Sequence, residues 1–141
     1  MSYLDTSVLV PYYCHEPLSA IVGDALATVA DPVLSPLVEL ELYSAFGGKV
    51  RSRDMSQSDA GAMVALFRVH RDDGRYRVVE IGPREFDLAR EWLSRFNSSL
   101  RALDALHMAA AFANNQTLLT ADKALSRAAA DFGVPCTLLS L

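Results

Sequence analysis

Four acidic residues stand where a carboxylate needs an explanation. The segment from Ala102 to Ala113 reads ALDALHMAAAFA, and only Asp104 and His107 are polar within it. A helix that is apolar on nearly all sides is buried. A buried carboxylate without a partner costs several kcal/mol or gives up its charge, so Asp104 calls for a cation, a hydrogen-bond network or a metal. Glu41 raises the same question. Leu37, Glu41 and Ala45 recur one helical turn apart, bordered by Leu34 and Val38, so Glu41 interrupts an inward-facing apolar stripe. Glu39, about 200° away around the same helix, projects from the opposite side. Asp5 and Asp122 each lie just past a strand and before a helix, where ligands bind in doubly wound sheets.

Each acid has a plainer role. Asp5, Thr6 or Ser7 could cap a first helix, and Thr120 or Asp122 a last one. Asp104 and Glu41 could be satisfied core acids. Together they point elsewhere. Carboxylate oxygens suit hard cations such as Mg²⁺ and Mn²⁺, and a cluster of like charges stays ionised only if a cation neutralises it. A metal so held lowers the pKa of a water and steadies the leaving oxygen of a phosphodiester.

The elements that must position these residues alternate short apolar runs with helical stretches, the pattern of an α/β domain with a mostly parallel sheet. A first strand, Tyr3–Asp5, is followed by Thr6–Ser7 and an apolar turn, Val8–Val10. Pro17 starts a helix to about Val29, Val33–Ser35 is a short strand, and Pro36 opens a long helix to about Arg53. Ser56 is the expected N-cap of the next helix, which ends near Asp73–Gly74. A third strand is expected over Tyr76–Ile81, then a helix from Pro83 through Phe96. An apolar helix follows over Leu103–Asn114, then a strand over Thr117–Thr120. The last helix, Ala121–Phe132, is closed by Gly133 and Pro135, and Cys136–Leu139 is a last strand.

The 141 residues suit one domain, 1–141, and 51% hydrophobic content supplies a core. No apolar stretch approaches the roughly 20 residues a bilayer requires, and the N-terminus lacks the basic and apolar regions of a secretory signal; a cytoplasmic protein is expected. Cys14 and Cys136 form no CxxC or zinc-ligand pattern and are read as free, mostly buried thiols. The net charge of −4 argues weakly against a nucleic-acid binder. No Lys or Arg precedes Lys49, however, so the basic residues are concentrated in the rest of the chain, where a local basic groove is conceivable.

Four blocks of the sequence resemble the PIN-domain family. YLDTSVLVPYY resembles the family's opening strand, with Asp5 followed two positions on by Ser7. LSPLVELELYSAFGGKVR resembles the second block, its acid matching Glu41. LRALDALHMAAA resembles the block around the third acid, Asp104, and LLTADKALSRAA the fourth, Asp122, with Thr120 two residues before it. The blocks occur in family order over nearly the whole chain and look most like the VapC toxins. The resemblance implies a three-layer α/β/α sandwich and Mg²⁺- or Mn²⁺-dependent endonucleolytic cleavage of RNA. It implies that Asp5, Glu41, Asp104 and Asp122 hold metal, with Thr6, Ser7 and Thr120 orienting carboxylates or waters behind them. It also implies a homodimer held inactive by a small antitoxin.

Other features are read more plainly. His107, one turn after Asp104, is taken as a helix-packing residue, since no second His is placed nearby. His15–Glu16 and His70 are expected at the surface, and Trp92 and Phe96 as core or dimer contacts rather than a base-stacking platform. Lys49, Arg51 and Arg53 either meet RNA phosphates or form a solvated helix end. Ser7 stands where a haloacid-dehalogenase pattern needs a second Asp, Ile81–Gly82 offers no receiver-domain phosphoacceptor, and no Walker loop or GxSxG elbow occurs. A PIN-like module that only binds RNA or protein is the non-enzymatic alternative, and a PIN nuclease of RNA processing without an antitoxin the other; four intact acids disfavour the first.

Overall fold

The computed structural model describes residues 1–141. Five parallel strands form one sheet: β1 (Ser2–Leu4), β2 (Pro32–Leu34), β3 (Arg77–Val78), β4 (Thr117–Thr120) and β5 (Cys136–Leu138), in the order β3-β2-β1-β4-β5. The central strands are apolar on both faces: Tyr3, Leu4, Val33, Leu34, Leu118 and Leu119 are all buried. Parallel sheets need such strands because helices cover both sides. The chain moves outward from β1 through β2 to β3, then outward the other way through β4 to β5. Right-handed crossovers in opposite directions lie on opposite faces, which gives the α/β/α layering. The strand order reverses at the β1–β4 junction, and the carboxyl ends of these strands form the crevice where ligands bind in such sheets.

Seven helices surround the sheet: α1 (Thr6–Tyr13), α2 (Ser19–Thr28), α3 (Pro36–Arg51), α4 (Gln57–Asp72), α5 (Pro83–Leu93), α6 (Ala102–Ala113) and α7 (Lys123–Asp131). Pro36 and Pro83 stand in the first turns of α3 and α5, where the missing N–H costs nothing. Ser56 caps α4 as expected, accepting from the Asp59 N–H at 3.0 Å. One continuous core of 27 buried apolar residues joins all layers.

Several elements differ from the sequence expectation. The segment after Asp5, expected as a turn, is helix α1, with Pro11 inside it. Pro11 removes the donor that would meet the Ser7 carbonyl, yet the helix runs on because Val8, Leu9, Pro11 and Tyr13 all bury. The third strand spans two residues rather than Tyr76–Ile81: it is an edge with one neighbour, and its Arg77 and Val78 are exposed. Helix α5 stops at Leu93, and Phe96 adopts φ 52° and is 91% exposed. Phe96 is therefore not a core residue, whereas Trp92 is, packed on Phe112 and Phe132. His70 is not a free surface group either; its Nδ1 meets the Tyr13 hydroxyl at 2.7 Å, and burial lowers its pKa. His15 is exposed, and Cys14 and Cys136 are free thiols, both as expected.

Candidate functional site

The carboxyl end of β1 delivers Asp5, and that of β4 delivers Thr120 and, two residues on, Asp122. Glu41 comes from the second turn of α3, and Asp104 from the first turn of α6. These four acids, with Thr6, Ser7, Ser44, Arg101 and His107, line one open cleft of about 450 Å³. Thr120 lies beneath it, fully buried. A second groove, about 360 Å³ and bordered by α2 and Tyr76, contains no carboxylate.

Three of the cleft's four carboxylates share a pattern. In Asp5, Oδ2 accepts from Ser7 Oγ at 2.6 Å and Thr120 Oγ1 at 2.9 Å, while Oδ1 has no hydrogen-bond donor. Thr120 Oγ1 also accepts from the Asp122 backbone N–H at 3.0 Å, and Ser7 Oγ from that of Ala121 at 2.9 Å, which ties the β1 and β4 ends together. In Glu41, Oε1 accepts from Thr6 Oγ1 at 2.8 Å and from His107 Nε2, leaving Oε2 without a donor. In Asp122, Oδ1 caps α7, accepting from the Ala124 and Leu125 N–H groups at 2.8 and 3.2 Å, and Oδ2 has no donor. Capping and cleft-lining are thus compatible roles for Asp122. Asp104 differs: its nearest cation is Arg101, with Nε 3.6 Å from Oδ2.

The charges are unevenly balanced. Burial pushes the Asp104 carboxyl up, Arg101 opposes this, and Asp122 and Asp5 add to it, so its pKa is raised. Burial also works against ionising Glu41, but the His107 and Thr6 hydrogen bonds hold its carboxyl below the usual range. For His107, burial disfavours the imidazolium, yet Glu41 and Asp5 prevail and raise its pKa. One oxygen each from Asp5 and Glu41 and a ring nitrogen of His107 lie within 4.8 Å of one another, close enough to surround a metal ion. Asp104 and Asp122 sit in the same cleft but outside that tight group.

The family assignment rests on sequence. The PIN domain matches residues 2–131. The chain belongs to the PIN-domain family. A comparison with curated protein sequences returns no match. Among solved structures, this PIN domain is similar to Mycobacterium tuberculosis VapC20, a Sarcin-Ricin loop cleaving toxin. The two share 19% identity with a TM-score of 0.72, over 91% of this chain and 95% of that one. It is also similar to a chain of Rickettsia felis VapBC2 bound to a promoter DNA fragment (18% identity, TM-score 0.71, 99% and 100% coverage). A chain of VapBC-1 from nontypeable Haemophilus influenzae matches at 16% identity and TM-score 0.70, with 99% and 98% coverage. At these identities the likeness establishes a PIN fold of the VapC kind.

Two features of the PIN-domain cleft were not anticipated. His107, expected as a packing residue, is indeed buried, but both its ring nitrogens are hydrogen-bonded and one faces Glu41. The signal was present: a second polar residue in an otherwise apolar helix, three positions from Asp104. Arg101 is the only Lys or Arg lining the cleft. Lys49, Arg51 and Arg53 lie outside it; Lys49 pairs with Glu16 at 2.6 Å, and Arg53 borders a separate hollow between α3 and α4. Glu39 pairs with Arg71 of α4, away from the cleft.

Proposed function

We propose that residues 1–141 act as a single PIN nuclease domain that cuts RNA with Mg²⁺ or Mn²⁺, as the toxin of a toxin–antitoxin pair. The observation that carries this reading is the pattern in the carboxylates. In Asp5, Glu41 and Asp122 one oxygen is held by the chain's own donors and the other has none, in a cleft they share with Asp104. Ligating carboxylates are typically oriented in this way by partners behind them. Asp5, Glu41, Asp104 and Asp122 are the residues that would hold the cation; Thr6 orients Glu41, and Ser7 and Thr120 orient Asp5. A divalent cation there would supply counter-charge and an acidified water for phosphodiester hydrolysis. The chain's own part is to hold the open oxygens in register and to seat the RNA backbone.

The proposed partners rest on the same reading. The solved relatives include VapBC assemblies, which supports a small antitoxin as partner. A homodimer, which the resemblance to VapC toxins implies, is proposed with it. No helix is long and apolar enough to cross a membrane.

The test uses purified, antitoxin-free protein and single-stranded RNA. Cleavage is expected with Mg²⁺ or Mn²⁺ and none with EDTA; cleavage that survives EDTA would refute a metal-dependent site. Arg101 gives a further expectation. It is 80% exposed at the side chain beside the acids, well placed for a phosphate. Arg101→Gln should weaken RNA binding and lower the slope of log K against log salt by about one ion. Replacing Arg51 and Arg53 together by Gln should leave the slope nearly unchanged. Salt titrations of RNA binding in EDTA, where no cleavage is expected, by protein carrying these changes would decide between the two sets.

A further inference from the structure

Behind Glu41 lies a chain of hydrogen bonds that the proposed chemistry does not use directly. Ser35 Oγ meets the Tyr3 hydroxyl at 2.7 Å, and the Tyr3 hydroxyl meets His107 Nδ1 at 2.8 Å. His107 Nε2 then meets Glu41 Oε1. Tyr3, Ser35 and His107 are each at most 1% exposed. The chain draws on β1, the N-terminus of α3 and the middle of α6. It returns to α3 six residues after it left, and so fixes Glu41 against the strand that carries Asp5.

We infer that His107 is a positioning residue for Glu41, oriented from the core by Ser35 and Tyr3, and that the cleft's affinity for a divalent cation depends on this chain. The inference rests on the reading of the cleft as a metal centre. Two observations support it. An ionised carboxylate only accepts hydrogen bonds, so His107 Nε2 must carry the proton shared with Glu41. In a neutral ring Nδ1 then accepts from Tyr3, which accepts from Ser35; in a charged ring the last two donors reverse and Nε2–H still faces Glu41. The aim of the ring is therefore the same in either form. The second observation is Ser35. It is the N-cap residue of α3 with extended backbone, the position at which a serine side chain usually accepts from the helix. Its hydroxyl makes no such bond and is given to Tyr3 instead.

A packing role, a ligand role and a positioning role make different predictions. Tyr3→Phe removes one hydroxyl and keeps the buried ring, and His107→Leu removes the donor. Both should weaken Mn²⁺ binding about 10- to 100-fold, the usual effect of losing a group that orients a ligand. Binding is read from the loss of the free-ion EPR signal on protein that circular dichroism shows to be folded. His107→Gln places an amide N–H near the position of Nε2 and should restore affinity to within a few-fold of the wild type. The Mn²⁺ electron spin-echo modulation of the wild type should show no directly coordinated nitrogen. Unchanged Mn²⁺ affinity in both Tyr3→Phe and His107→Leu would overturn the inference and leave His107 as packing. A coordinated nitrogen that disappears in His107→Leu would overturn it in favour of a ligand. Wild-type protein that binds no Mn²⁺ would instead refute the metal-centre reading on which it rests.

Discussion

Asp5→Asn is expected to lower metal-dependent RNA cleavage by roughly a hundredfold or more, about 2.7 kcal/mol of barrier, with little change in fold. The expectation follows from where its two oxygens go. Oδ2 accepts from Ser7 and Thr120, and the amide oxygen of Asn can accept the same two bonds. The amide nitrogen must then take the place of Oδ1. That replaces a negative acceptor with a neutral donor in the cleft, and it turns an N–H toward His107 Nε2, which lies 3.8 Å from Oδ1. A cation loses a ligand and gains an unfavourable dipole, while the Ser7–Thr120 tie between β1 and β4 survives. The measurement is single-turnover cleavage of RNA at saturating Mn²⁺, with circular dichroism as the control. Wild-type rates in Asp5→Asn would remove Asp5 from the chemistry.

The acids could be found in the sequence because burial and charge conflict there. Asp104 stands in an apolar helix and Glu41 among apolar neighbours, so each announces a compensating group. Alternation of apolar runs with helical stretches likewise gave the parallel α/β class, since strands buried on both faces must be apolar throughout. Other features had no local signal. Helix α1 contains a proline that local rules read as a stop, and only its burial against the rest of the core overrides them. The short β3 reads as a longer strand because Tyr76, Val79 and Ile81 are apolar; all three pack on the core, and the pairing with β2 ends at the bond from the Val79 N–H to the Leu34 carbonyl at 2.8 Å. Phe96 looked like a continuation of the Trp92 face, but no glycine or proline marks the end of α5, and a left-handed residue closes it. His107 and Glu41 are 66 residues apart, and their pairing depends on how α3 and α6 pack, which neither segment encodes alone.

The helical register of α3 was also only partly legible, and this bears on the second large effect. The fully buried line of the helix is Val38, Leu42 and Phe46, while Leu37, Glu41 and Ala45 flank it half-buried. The carboxylate thus sits at the border of core and cleft, as a group that meets both His107 and solvent must. Glu41→Gln is expected to reduce metal-dependent cleavage roughly a hundredfold or more, whereas Glu39→Gln, which loses only the Arg71 pair on another face, should keep near-normal activity. Repulsion within an acidic cluster would, by itself, make removal of the Glu41 charge raise the melting temperature of the metal-free protein. The pair with His107 reverses that sign. The lowered pKa of Glu41 gives stability present above its ordinary value of 4.5 and lost as pH falls through the folded value. The raised pKa of His107 gives stability present below its ordinary value of 6.5 and lost as pH rises through the folded value. The pair therefore stabilises most between those two ordinary values. Metal-free Glu41→Gln should melt below wild type there, and the gap should narrow as the pH rises past the folded pKa of His107. The gain from removing a charge belongs to Asp104, whose pKa is raised by burial first and by Asp122 and Asp5 next, so metal-free Asp104→Asn should melt above wild type at neutral pH. The measurement is thermal melting of the three variants across pH without metal, beside cleavage of RNA with Mn²⁺. An active Glu41→Gln with an inactive Glu39→Gln would overturn the register of α3, and a Glu41→Gln that melts above wild type near pH 5.5, between the ordinary values of the two groups, would show that repulsion among the acids outweighs the bond to His107.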